Sequence, residues 1–135
     1  MSNPVAAETP RYIPIPFGEM LQMEPLEIGQ TVLRAKMVVR PEMCNPMRTL
    51  HGGAIMALAD TLGAMGAYRN LPEGAQGTTT MESKTNFIGA AREGDTVHAE
   101  CTPVHIGRRT SIWTTRVTTE AGKLVAVVSQ PQMVL

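Results

Sequence analysis

Residues 45–60 read Asn45-Pro-Met-Arg-Thr-Leu-His51-Gly-Gly-Ala-Ile-Met-Ala-Leu-Ala-Asp60. A His-Gly pair stands where a helix begins, and one carboxylate stands in the middle of that helix. The first turn of a helix carries backbone N–H groups without an intrahelical partner, and these can hold a developing oxyanion. A carboxylate among small apolar residues has no packing purpose, because burying its charge is costly. Together the two features point to acyl chemistry, provided that one carbonyl can reach both.

The pattern continues beyond Asp60. Ile55, Leu58, Ala59, Leu62, Met65 and Gly66 follow i, i+3, i+4, i+7 spacing, which predicts one helix over residues 52–70. Nine of the sixteen residues from Gly52 to Ala67 are Gly or Ala. Each Gly lowers helix propensity by about 1 kcal/mol relative to Ala. Such a helix persists only where packing offsets that cost, so it is expected to be embedded in a sheet.

Upstream, Thr31 to Arg40 alternates in β-rich style and predicts a strand. Residues 12–30 carry Pro14, Pro16, Pro25 and Gly29, with a short helical turn expected near Phe17 to Met23. Residues 1–11 read as a loose arm, so residues 1–30 form an arm and lead-in and 31–135 a single domain. Downstream, four β segments are expected at about 77–88, 95–106, 110–119 and 123–134. Turn signals at Gly89 to Gly94, at Gly107 and at Glu120-Ala121-Gly122 separate them. Short turns imply antiparallel hairpins. The fold class is α+β, a curved antiparallel sheet wrapped around one central helix.

Composition narrows the function. Twelve Lys and Arg balance twelve Asp and Glu, which argues against nucleic acid as a partner. No run approaches the ~18 apolar residues of a membrane span, and the N-terminus lacks an apolar signal core. Cys44 and Cys101 follow neither metal nor disulfide spacing, so a reduced, cytoplasmic setting is the simpler reading. Three scattered histidines, His51, His98 and His105, make no metal site. His98 and His105 read as structural residues on alternating strands. No cofactor is expected. Ten methionines fit either an adaptable pocket or a Met-rich core.

A strand, a His-Gly-Gly helix with an acid nine residues on, and an antiparallel meander resemble the hot-dog-fold thioesterases. The likeness is closest to the phenylacetyl-CoA and hydroxybenzoyl-CoA thioesterase branch. It rests on Asn45-x5-His51-Gly52-Gly53, then Ala59-Asp60-x2-Gly63, then Thr85-Asn86-Phe87 through Ala91-Arg92-Glu93-Gly94-Asp95, and Gly107-Arg108-Arg109. The resemblance implies that Asp60 is the catalytic carboxylate, acting as nucleophile on the thioester carbonyl or as general base for water. The Gly52 N–H would hold the thioester oxygen. His51 would shape that site or orient its loop. Asn45 would point at the thioester or the water, unless it only forms an Asx turn before Pro46. Thr80 aligns with a strand hydroxyl that assists the water, since Ala64 stands where some relatives carry a helix hydroxyl. Arg108 and Arg109 suit CoA phosphates, for which guanidinium forks are well shaped. Lys84 and Arg92 are weaker candidates, and a solvated turn is the plain alternative for the arginine pair.

Helix geometry adds a constraint. His51 and Asp60 are nine residues apart, about 13.5 Å of rise and about 180° of rotation. Gly52 and Asp60 of one chain cannot easily address one carbonyl. Two antiparallel helices across a twofold axis can bring one Gly52 near the other Asp60, giving a homodimer with shared sites. Family members assemble this way, often as a dimer of dimers. The expected reaction is hydrolysis of an aryl or medium-chain acyl-CoA to acid and CoA. A non-catalytic acyl-CoA-binding module and an enoyl-CoA hydratase are the alternatives.

Overall fold

In the computed structural model, which describes residues 15–135, α1 spans Pro16–Met20, β1 Glu24–Ile28 and β2 Leu33–Val38. A 3-10 turn at Pro41–Met43 leads to the long helix α2, Gly52–Arg69. Then come β3 Thr78–Thr80, β4 Lys84–Phe87, β5 Thr96–Ile106, β6 Thr110–Thr119 and β7 Leu124–Val134. All pairings are antiparallel. The order is β1-β2-β5-β6-β7-β3, with β4 also on β7. This is the hot-dog arrangement, one curved sheet around one central helix.

Alternation decides which face of the sheet meets the helix. Leu33, Ala35 and Met37 of β2 are buried, as are Val97, Ala99 and Cys101 of β5, and Trp113, Thr115 and Val117 of β6. They enclose Ile55, Leu58 and Leu62 of α2. The opposite face is charged: Arg34 pairs with Glu27 and Glu100, and Lys36 with Glu24. The helix glycines serve close approach. A Cβ at Gly66 would stand 2.7–2.9 Å from three ring carbons of the fully buried Trp113. Methionines serve both anticipated uses: Met23 and Met37 fill the core, while Met20 and Met43 line a cavity.

Four expectations are corrected. Residues 24–28, read as part of the lead-in, form an edge strand paired with β2. Pro25 hid it, although Pro is compatible with an edge. The segment 77–88 is two strands, not one. Thr80 pairs with Gln132 and Lys84 with Ser129, so the edge gains one residue over β7. The break lies at Pro131, whose carbonyl accepts from the Met81 N–H and which has no N–H of its own to return. That edge also forms no hairpin with β5. It pairs with β7, while β5 lies between β2 and β6. The connection crosses instead, tied by Leu50 N–H to Ala91 O at 2.8 Å, Glu93 N–H to Arg48 O at 3.0 Å and Gly94 N–H to Val39 O at 2.8 Å. Finally, His98 and His105 lie on the same strand, β5. The loose arm expected over residues 1–11 lies outside the described residues. Among these, no helix is long and apolar enough to cross a membrane.

Candidate active site

The loop before α2 aims the helix. The Asn45 N–H donates to Thr49 O, the His51 N–H to Met43 O, and Cys44 bridges Leu50. Arg48 sits at φ 61°, a conformation uncommon for a side-chain-bearing residue, and its guanidinium forks onto Glu93 at 2.7 and 2.8 Å. Asn45 makes the Asx turn: Oδ1 accepts from the N–H groups of Met47 and Thr49, and Nδ2 donates to Thr49 Oγ1. One amide hydrogen of Asn45 is left over.

His51 is the N-cap of α2. Its Nδ1 accepts from the Gly53 N–H at 2.8 Å, which places the proton of a neutral ring on Nε2. The N–H groups of Ala54 and Ile55 both turn to His51 O. That leaves the Gly52 N–H, which meets no acceptor among the described residues. Two carbons of the Phe87 ring lie 3.0 Å from where a Cβ at Gly52 would stand.

Asp60 is exposed on the helix, two turns further along. Gln130 Nε2 donates to its Oδ1 at 2.8 Å, and Thr80 Oγ1 donates to the same oxygen at 3.3 Å. Oδ2 has no partner among the described residues. Asp60 and Thr80 therefore meet, whereas Gly52 is eight residues away, about 12 Å along the helix axis. The two ends of the opening stretch do not converge within one chain.

Sequence reasoning missed Gln130 and Gln132. Both lie on β7 and are only 1 % and 0 % exposed. They occupy two successive inward positions after Val128, in a strand otherwise apolar on that face. Two amides in the inward register of a strand were the signal, since buried polar groups demand partners. Gly63, quoted only as part of a motif, makes room for the Gln130 amide, which a Cβ at that position would strike.

Arg108 and Arg109 are exposed on the β5–β6 turn, and Lys84 is exposed on β4; no ion pair engages them among the described residues. Gln132 pairs with both Thr80 and Ser111, so the arginine turn lies at the same end of the sheet as Thr80. Arg92 is exposed and pairs through its backbone with Thr49. His98 contacts Glu120 on the outer face. Cys101 is buried, and burial pushes its thiol up to about 11, partly offset by a hydrogen bond with Thr115, so it is no nucleophile. Between α1 and the start of α2 opens a cavity of about 430 Å³. Phe17, Met20, Met43, Cys44, Ala54 and Ala57 line it, with His51 and Gly53 at the helix end.

The model of the thioesterase superfamily matches residues 47–126, more than half of the chain and the whole of α2. The chain belongs to the thioesterase superfamily. It is 36% identical over 97 residues to the 1,4-dihydroxy-2-naphthoyl-CoA hydrolase of Escherichia coli, covering 72% of this chain and 70% of that one. It is 34% identical over 105 residues to the proofreading thioesterase EntH of Cronobacter turicensis, covering 78% and 75%. A solved thioesterase of Haemophilus influenzae superposes with a TM-score of 0.80 at 29% identity, covering 88% of this chain and 82% of that one. As a superfamily member with the hot-dog fold, this protein is a thioester hydrolase.

Proposed function

We propose that this thioesterase hydrolyses an aryl or medium-chain acyl-CoA, with Asp60 as its catalytic carboxylate and the Gly52 N–H as oxyanion donor. One observation carries the assignment. Asp60 is held through Oδ1 on an apolar helix, while Oδ2 is left unengaged among the described residues. A carboxylate kept in that way is suited to react.

The donor at Gly52 polarises the carbonyl and takes the charge that develops on its oxygen. Asp60 then acts in one of two ways. As general base it accepts a proton while the water oxygen bonds to the carbonyl carbon. The tetrahedral oxyanion collapses, the C–S bond breaks with its pair on sulfur, and the proton passes to the thiolate. As nucleophile, Asp60 itself bonds to the carbon and expels the thiolate, and water then cleaves the anhydride and restores the carboxylate. The leftover Asn45 amide hydrogen can assist the carbonyl or the water.

The cavity beside the helix start suits the acyl group, its lining being mostly apolar, with two methionines and two alanines beside the charged Arg40 and Glu42. The relative named a 1,4-dihydroxy-2-naphthoyl-CoA hydrolase favours an aryl group. Arg108, Arg109 and Lys84 are free to meet CoA phosphates at the Thr80 end of the sheet. The separation of Gly52 from Asp60 calls for a homodimer with two shared sites, paired again as a dimer of dimers in the manner of the family.

Thiol release from a panel of aryl and C4 to C16 acyl-CoA esters tests the assignment. Asp60→Asn should lower kcat by about 10² to 10⁴-fold, the usual worth of a positioned base. Turnover equal to wild type would remove Asp60 from the reaction.

A further inference from the structure

We propose that Gln130 is a positioning residue that, with Thr80 and Gln132, pins Asp60 Oδ1 and leaves Oδ2 as the single reacting oxygen. The inference rests on Asp60 being the catalytic carboxylate.

The chemistry of the acceptors fixes the orientation of the Gln130 amide. Its nitrogen lies 2.8 Å from Asp60 Oδ1, 3.4 Å from Asp60 O and 3.1 Å from Thr80 Oγ1. A carboxylate and a carbonyl only accept, so the atom facing them must be the NH₂. Gln132 Nε2 donates to Thr80 Oγ1 at 2.8 Å, and the one proton of Thr78 Oγ1 has both Gln132 Oε1 at 3.1 Å and Met133 O at 3.0 Å within reach. The Thr80 hydroxyl thus receives two amide hydrogens. A hydroxyl has two lone pairs and one proton. With both lone pairs taken, Thr80 donates, and Asp60 Oδ1 lies within reach. Thr80 thus completes the grip on Oδ1.

Stability does not explain the arrangement. Gln130 Oε1 is buried without a partner among the described residues, and the residue is 1 % exposed on a strand face that is apolar apart from Gln132. An apolar side chain of that length would satisfy the same space with no orphaned acceptor. Gly63 must also remain without a Cβ for the amide to reach Asp60. A fold that tolerates these features where a carboxylate is being held is using them at the reaction centre.

The test compares Gln130→Met, which keeps the length and loses the donor, with Thr80→Val and Thr80→Ser. Steady-state kinetics and thermal unfolding are measured for each. Gln130→Met should lower kcat about 10- to 100-fold, with KM within about twofold, because a misplaced reacting group costs turnover rather than binding. Its unfolding midpoint should be equal to or above that of wild type. Thr80→Val should lose kcat in the same manner, and Thr80→Ser should recover most of that loss. Wild-type kcat in Gln130→Met, or a loss confined to KM, overturns the proposal. A loss of kcat accompanied by a lowered midpoint also overturns it, since that marks a structural role. Should Gln130→Met fail to fold, Thr80 decides alone: wild-type kcat in Thr80→Val, or no recovery in Thr80→Ser, is the overturning result. Asp60→Asn separates the two readings. Full activity there sinks the assignment of Asp60, whereas an inactive Asp60→Asn beside a fully active Gln130→Met sinks only the positioning role.

Discussion

Cys101 shows at the scale of one side chain how the interior changes a titratable group. Its thiol stands among the sheet residues that face the helix, and burial raises it from 9.0 to about 11. The unfolded chain ionises this thiol first, so between those values it binds fewer protons than the folded chain. Stability is then fully present below pH 9 and falls as pH rises through 11. At 1.36 kcal/mol per pH unit the gap of about two units is worth roughly 3 kcal/mol. Urea unfolding of wild type and Cys101→Ala at pH 8 and pH 11 measures it. The wild type should lose up to that amount more than the variant across the interval; equal losses would mean that the thiol ionises freely in the fold. Asp60 and Gln130 work at the same scale, but there the neighbours anchor a group instead of burying it.

At the scale of the element, α2 is unusual because glycine sits where a helix would favour alanine. Gly63 faces Gln130 and Gly66 faces Trp113, so each missing Cβ is occupied by a strand side chain. Gly66→Ala gains about 1 kcal/mol of helix propensity. It also drives a methyl into a ring that is 0 % exposed and cannot withdraw. Overpacking of a core costs about 1–3 kcal/mol. The balance is expected to be destabilising, read as a lower denaturant midpoint with an unchanged slope. A rise in midpoint would show that Trp113 has room to shift. The helix start follows the same logic. His51 takes up the Gly53 N–H, so the cap itself selects which donor stays open.

At the scale of the whole molecule, the distance between Gly52 and Asp60 becomes a statement about assembly. Gly52→Pro removes the N–H without opposing the helix, since Pro is favoured at the first helical position. His51, with ψ 136°, already has the extended backbone that a following Pro requires. Phe87, half exposed, can yield to the ring. Gly52→Pro and Asp60→Ala should each be inactive. After subunit exchange at equal amounts, half of the dimers are mixed and each holds one intact site, so about a quarter of wild-type activity should return. No recovery after confirmed exchange would show that each site belongs to a single chain.

The sequence by itself determined the helix, its acid, the antiparallel class and the oxyanion candidate. Those follow from local periodicity, from the His-Gly start and from turn residues, all of which act over a few neighbours. It also placed Thr80 in the set, through likeness to a family. It did not locate the edge strand at Glu24–Ile28, the crossing of residues 88–95, or the two glutamines behind Asp60. Each of these depends on pairing between residues far apart in the chain. Gln130 is seventy residues from Asp60. Only the curl of β7 over α2, permitted by Gly63, makes the two neighbours, and that closeness is a property of the packed sheet and helix together.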